Sequence, residues 1–366
     1  MTDASRPVVA VIFGGRSSEH GVSCVTAGGV LGALDRSRYD VLAIGITRDG
    51  RWTLASDAPS DWQIVDGVLP AVADAPHTVL PPASAETSEW RILGDDGSVQ
   101  SIGRVDVVFP VLHGPFGEDG TIQGALELVD VRYVGAGVLA SAMGMDKEYM
   151  RAAFIAAGLP VTDAVVIHPH DSPEALRGSI EALGLPVFVK PARAGSSMGI
   201  SRVDSWDALD AAIAGAAKHD PKVLVERGVV GREIETAVLE TPDGPRASLP
   251  GEIVTGGDHT FYDFEAKYLD EGNVQLICPA SLPDAVVAQV QDIALAAFRA
   301  VGAESLARVD VFVGEDGRVT VNEINTMPGF TPTSMYPRMW AASGVEYPEL
   351  VSTLVETALT RPLGLR

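Results

Sequence analysis

Apolar and polar positions alternate along this chain in blocks that predict an ordered series of strands and helices. Val8 to Phe13 is an unbroken apolar run ending at Gly14-Gly15, the pattern of a buried strand feeding a glycine turn. Val22 to Leu34 then reads as a helix, Tyr39 to Ile46 as a second strand and Val105 to Leu112 as a third. Thr121 to Val129 reads as a short helix and Arg132 to Val134 as a short strand. Ala55 to Gly103 has weak periodicity and much Pro, Ser, Asp and Gly, which predicts a variable surface excursion. Met143 to Gly158 reads as one helix closed by Gly158-Leu159-Pro160. Strands at Val165 to His168, Val187 to Lys190, Ile200 to Val203 and Lys222 to Glu226, with helices at Ser172 to Leu183 and Ser205 to Ala217, make a second unit. A third contains a strand from Glu233 to Glu240 and an amphipathic helix from Pro283 to Val301. It continues with strands Leu306 to Val313 and Arg318 to Ile324 around a Gly314–Gly317 turn, and a last helix from Tyr347 to Thr360.

The fold class this predicts is α/β followed by α+β, beginning with an open parallel-sheet domain. Its 366 residues suit two or three domains. The net charge of −22 argues against extended anionic partners such as nucleic acid or an acidic membrane, but not against a small anion in a basic pocket. Only five of the 27 basic residues are lysine: Lys147, Lys190, Lys218, Lys222 and Lys267. Two cysteines, Cys24 and Cys278, make no disulfide scaffold. The polar start from Met1 to Pro7 runs directly into a strand, and no apolar run would span a bilayer, so no signal peptide and a cytoplasmic location are expected.

Chemistry concentrates in two places. Lys190 ends a strand and opens the small-residue loop Pro191 to Gly199, where main-chain N–H groups and serine hydroxyls suit phosphate, although a plain flexible loop has the same composition. In the Leu306–Ile324 hairpin, side chains of alternate residues share a face. Closure at Asp316-Gly317 would set Asp310 beside Glu323 and Arg308 beside Asn325. Oxygen ligands without His or Cys suit Mg²⁺, and the arginine suits an anion; a solvated hairpin with a surface salt bridge is the alternative. The following loop, Thr326 to Ser334, could hold a carboxylate or an oxyanion. Gly135-Ala136-Gly137 imitates a dinucleotide fingerprint but has no acidic residue at the ribose position, so a tight turn is the better reading.

Six segments in order then complete a pattern: Phe13 to His20, Leu112 to Gly120, Met145-Asp146-Lys147, Lys190 to Gly199, Phe261 to Tyr268 and Asn322 to Ser334. With them the chain resembles the D-alanine–D-alanine ligases of the ATP-grasp superfamily everywhere except about 55–103. The resemblance implies a substrate-binding domain at 1–142 and the two ATP-grasp lobes at 143–235 and 236–366. It implies ATP held by Lys147, Lys190, Ser196, Ser197, Glu226, Arg227, Val229, Glu233, Tyr262, Lys267, Asn322 and Glu323. Two Mg²⁺ or Mn²⁺ ions would sit on Asp310, Glu323 and Asn325, and some relatives are activated by K⁺. Glu19 would bind the ammonium of the first of two D-alanines with His113 nearby. Arg308 and the Gly329 N–H would stabilise the tetrahedral intermediate, and Ser334 and its neighbour Met335, where leucine is usual, would hold the second substrate. Glu19, Ser196 and Tyr268 would link a lid to the site. A homodimer is implied, and the product would serve peptidoglycan synthesis. Competing readings are another ATP-grasp carboxylate–amine ligase, a D-alanine–D-lactate ligase, a nicotinamide dehydrogenase and a non-catalytic nucleotide module.

Overall fold

The computed structural model describes residues 6–255 and 274–363. The first sheet orders its strands β3 (Trp52–Leu54), β2 (Asp40–Ile46), β1 (Val8–Gly14) and β7 (Val107–Pro110), with β1 parallel to both β2 and β7. Its central strand is buried on both faces, as its continuous apolar run requires. Val9, Val11 and Phe13 enter one core, Ala10 and Ile12 another. Helix α1 (His20–Ala33) lies on the first of these faces. Helix α2 (Thr121–Glu127) follows β7.

The expected excursion at 55–103 is largely ordered. It carries an antiparallel sheet of β4 (His77–Leu80), β5 (Glu89–Gly94) and β6 (Val99–Arg104), and a short 3-10 turn at Pro59–Trp62. Periodicity misses this sheet because β6 is almost wholly exposed; what anchors it is Trp90, fully buried and 6.3 Å from the Trp52 ring. Two further expectations need correction. Arg132 to Val134 is no strand but a single bridge from Tyr133 to Val108. The helix expected over 143–158 is two helices, α3 (Val138–Met145) and α4 (Lys147–Ala156). They break at Asp146, whose extended backbone lets its carboxylate accept from the Glu148 N–H at 3.1 Å and start α4 afresh.

The second sheet is antiparallel: β10 (Ser201–Val203), β9 (Val187–Pro191), β11 (Val223–Arg227) and β8 (Ala164–Ile167). Helices α5 (Pro173–Glu181) and α6 (Leu209–Ala216) supply Ile180, Leu209 and Ile213 to its core. The third sheet runs β15 (Val274–Ile277), β14 (Gly251–Thr255), β12 (Arg232–Thr241), β16 (Leu306–Val313) and β17 (Val319–Asn325), with β13 (Gly244–Ala247) on the far end of β12. Helix α7 (Asp284–Ala300) covers one face of it with Val290, Ile293, Ala297 and Phe298, joined by Met150 and Phe154 of α4. On the other side, α8 (Met335–Ala342) and α9 (Tyr347–Thr360) share a core with α1 and β7, so Leu354 and Val355 pack in one cluster with Val30, Leu31 and Phe109. The sequence pattern finds α9 to the residue and overlooks α8.

Candidate active site

The β16–β17 hairpin has the expected register: Asp310 pairs with Glu323 and Arg308 with Asn325. Between them lies a bulge that simple alternation does not foresee. Val311 pairs with Val321, leaving Asn322 as an extra residue. The parity of β17 therefore changes in mid-strand. Val319, Val321 and Ile324 all enter the core, while Glu323 and Asn325 line the cavity opposite.

Adjacent β12 adds Glu235 directly across from Asp310. Three carboxylates thus stand in one cross-strand row, and Arg308 neutralises part of it. Its guanidinium donates to both oxygens of Asp310, at 2.7 and 2.6 Å, and lies 3.1 Å from Glu235. Burial opposes the charge of Arg308, but Asp310 and Glu235 hold its pKa well above the ordinary value. Glu235 escaped the sequence reading because its strand lies about 70 residues from the hairpin, and only sheet order brings it there.

A cavity of about 860 Å³ opens over this row. Glu19, His113, Lys147, Ser196, Arg308, Glu323, Asn325, Gly329, Ser334 and Met335 all line it, so segments spread over the chain converge there. Lys190, Ser197, Glu226, Arg227, Val229, Glu233, Asp310 and Asn322 do not line it. Tyr262, Lys267 and Tyr268 lie outside the described residues. The cavity also includes Glu118 and Arg338, which sequence reasoning passed over. Glu118 accepts from the Gly114 N–H at 2.5 Å; burial and then the charge of Glu19 push its pKa well up.

Glu19 stands immediately before α1 and is buried. Its Oε1 accepts from the Ser196 hydroxyl at 2.7 Å, which ties the first sheet to the lysine–serine loop. Gly114 is required beside it: φ is +76°, and a Cβ there would stand 2.7 Å from Glu19 Oε2. Ser196 and Ser197 both adopt left-handed backbone, with φ of 49° and 58°. That costs about 1–3 kcal/mol each. On the expectation that Glu19 binds a substrate, replacing Ser196 by alanine should raise KM for it about ten- to a hundredfold, since a hydrogen bond to a charged group is worth about 1.5–3 kcal/mol; initial-rate kinetics at fixed ATP measure it.

Lys147 Nζ donates to the Ala194 carbonyl at 2.9 Å and stands 3.9 Å from Glu323; its burial lowers its pKa. Lys190 reaches Glu226 at 2.5 Å, and Arg151 reaches the other oxygen at 2.6 Å. Burial alone would raise the pKa of Glu226, yet Lys190 and Arg151 bring it below 4.5. A depressed folded-state pKa gives stability that is present above the unfolded value and lost as pH falls through the folded one. The Glu226→Gln variant should therefore be destabilised by about 3–5 kcal/mol at neutral pH, with the loss shrinking below about pH 4.5. Urea melts across that range test it.

In the 326–334 loop, Ser334 Oγ accepts from the Thr331 N–H at 3.1 Å and lies 2.7 Å from the Thr331 hydroxyl. Met335 is buried against Gly251 of β14, where a Cβ would meet the Met335 sulfur at 2.5 Å. The longer thioether thus has its room made for it by a glycine two strands from the hairpin.

Among the described residues no cluster of three acidic, histidine or cysteine side chains encircles one point. The hairpin instead offers two carboxylates and an amide oxygen, hard oxygen donors that fit a divalent cation once Asp310 exchanges Arg308 for it. No helix among the described residues is long and apolar enough to cross a membrane.

Comparisons with known proteins identify the family. Family models described as the D-ala D-ala ligase N-terminus and C-terminus match residues 8–136 and 154–356. A D-alanine–D-alanine ligase of Kineococcus radiotolerans is 58% identical, and one of Mycobacterium avium 55%, each over 100% of both chains. Among solved structures, a D-alanine-D-alanine ligase from Coxiella burnetii superposes with a TM-score of 0.82 at 34% identity, covering 97% of this chain and 94% of that one. The VanG D-Ala:D-Ser ligase of Enterococcus faecalis does so with a TM-score of 0.83 at 33% identity, covering 97% and 100%. The chain belongs to the D-alanine–D-alanine ligase family.

Proposed function

We propose that this chain joins two D-alanines at the expense of ATP, giving D-alanyl-D-alanine, ADP and phosphate. The observation that carries the reading is the one cavity that Glu19 with Ser196, Lys147 with Glu323, Arg308, and Gly329 and Ser334 of the 326–334 loop line together. A carboxylate does not acylate an amine at neutral pH, because its oxygen is a poor leaving group. Its oxygen first attacks the γ-phosphorus of ATP, ADP departs, and an acyl phosphate forms. The amine of the second D-alanine, having lost a proton, then attacks the acyl carbon, and phosphate leaves with the C–O bond electrons.

In this reading Glu19 holds the first ammonium, and Ser334 with the main chain at Met335 holds the second carboxylate. Arg308 and the Gly329 N–H stabilise the oxyanion. Lys147 and Lys190 bind ATP phosphates with Ser196, Ser197 and Asn322. Glu226, Arg227, Val229 and Glu233 hold adenine and ribose. For ATP to use Lys190 or Glu226, their ion pair must open, and Arg151 keeps the carboxylate compensated when it does. Asp310, Glu323 and Asn325 would hold two Mg²⁺ or Mn²⁺ ions, which offset charge on the transferring phosphoryl group. Tyr262, Lys267 and Tyr268 enter on the resemblance alone, as do the homodimer, K⁺ activation and the cytoplasmic setting.

Coupled ADP release at fixed Mg-ATP, compared across D-alanine, D-serine, D-lactate and L-alanine, tests the reading. Release should depend on D-alanine alone and yield the dipeptide; faster release with D-alanine plus D-serine or D-lactate than with D-alanine by itself would overturn the choice of second substrate.

A further inference from the structure

His113 joins three parts of the molecule. It follows β7, its ring reaches α1, and it also reaches the loop that carries Gly329. Nε2 lies 3.1 Å from the Thr26 hydroxyl, and Nδ1 lies 3.2 Å from the Met327 carbonyl. The main chain of His113 is held as well, its carbonyl accepting from Ser17 at 2.8 Å. Thr26 is fully buried on α1 and His113 nearly so.

These contacts settle the proton. A carbonyl oxygen only accepts, so Nδ1 carries the hydrogen. Burial, working against the charge of Glu19, lowers the pKa of His113 and favours the neutral ring. A neutral ring with Nδ1–H has its lone pair on Nε2, and the Thr26 hydroxyl is the donor that meets it. A proton on Nε2 would turn Thr26 into an acceptor and require a charged imidazole in a buried place.

We infer that Thr26 is a positioning residue: its hydroxyl holds His113 as the Nδ1–H tautomer, and that N–H fixes the Met327 carbonyl and with it the loop presenting the Gly329 N–H. Met327 and Gly329 are two residues apart, so a shift at the first is felt at the second. Since its lone pair is already engaged, His113 takes no proton from a substrate and faces the cavity as an orienting group. The kinetic consequence rests on the ligase reading; the tautomer does not.

Long-range proton–nitrogen spectra of the full chain, ¹⁵N-labelled in histidine, test the assignment directly, with the His113 signals identified by their loss in His113→Gln. The expected result is a neutral ring protonated at Nδ1 through the neutral pH range. An Nε2–H tautomer or an imidazolium signal would overturn the inference. Kinetically, Thr26→Val should lower kcat about tenfold or more with KM for ATP unchanged, and Thr26→Ser should restore it, because only the hydroxyl matters. A fully active Thr26→Val, or a Thr26→Ser as impaired as the valine variant, would also overturn it. If the spectra are as expected but the wild-type chain shows no D-alanine-dependent ADP release, the tether stands and the ligase reading falls.

Discussion

Glu323→Gln should leave a folded protein whose turnover is lower by about a hundredfold or more. Glu323 contributes one of only two carboxylates in the oxygen set of the hairpin, and its partner Asp310 is already engaged by Arg308. A neutral amide in its place weakens the hold on a divalent cation, whose stabilisation of a transferring phosphoryl group is worth several kcal/mol, and each 1.4 kcal/mol is a factor of ten. Structural cost should be small, because Glu323 is only partly buried and glutamine has nearly the same shape. The check is ADP release as a function of added Mg²⁺, beside a thermal melt. A variant that melts normally and turns over at near the original rate would remove the hairpin from the metal assignment. Partial recovery at high Mg²⁺ would support it.

Arg308→Met is expected to fail twice. Removing the guanidinium leaves Asp310 and Glu235, each with a side chain no more than 3% exposed, as buried carboxylates without their shared cation. Breaking a buried pair from one side costs about 3–5 kcal/mol, a large part of the stability of an ordinary domain. Activity should fall by a further factor of about 10²–10³, the usual loss when an oxyanion donor is removed. Arg308→Lys separates the two effects. It keeps a positive charge between the acids and so should recover much of the stability. It loses the planar fork that grips Asp310 with two parallel bonds, and turnover should stay low. Urea denaturation with initial rates on both variants distinguishes them; equal stability of Arg308→Met and wild type would mean that the carboxylates find other partners.

Much of this site could be read from the residues, and the reasons for what could not are specific. Period and turn are local properties, and a closure at Asp316-Gly317 puts Asp310 opposite Glu323; the strand that leaves the turn, however, sets Val313 opposite Val319, which alone would face Asp310 with Asn322, and it is the bulge that restores the pairing. The bulge at Asn322 is not local in that sense, since only the apolar spacing of Val319, Val321 and Ile324 betrays it, and a short strand gives little period to measure. Asp146 was legible in principle, because an aspartate followed by Lys-Glu is a helix start. Apolar residues on both sides concealed it by continuing the same helical period. Glu235 and Thr26 belong to another class. Each reaches the site, or the residue next to it, across a distance that sheet order and helix packing set, and no spacing along the chain announces either. The same holds for the ion pairs of Glu226, a residue the sequence does offer, since its two cationic partners come from α4 and β9.

The shared core of α1, β7 and α9 has a consequence for how the molecule is made. Val30, Leu31 and Phe109 leave the ribosome well before the residues they pack against, which include Leu354 and Val355 of α9. The first sheet thus has a seat missing until α9 has been made. Its exposed apolar face must wait through the emergence of the second and third sheets, a state that invites chaperones and aggregation. A chain stopped short of residue 347 should aggregate through the uncovered face of its first sheet, which solubility after expression measures.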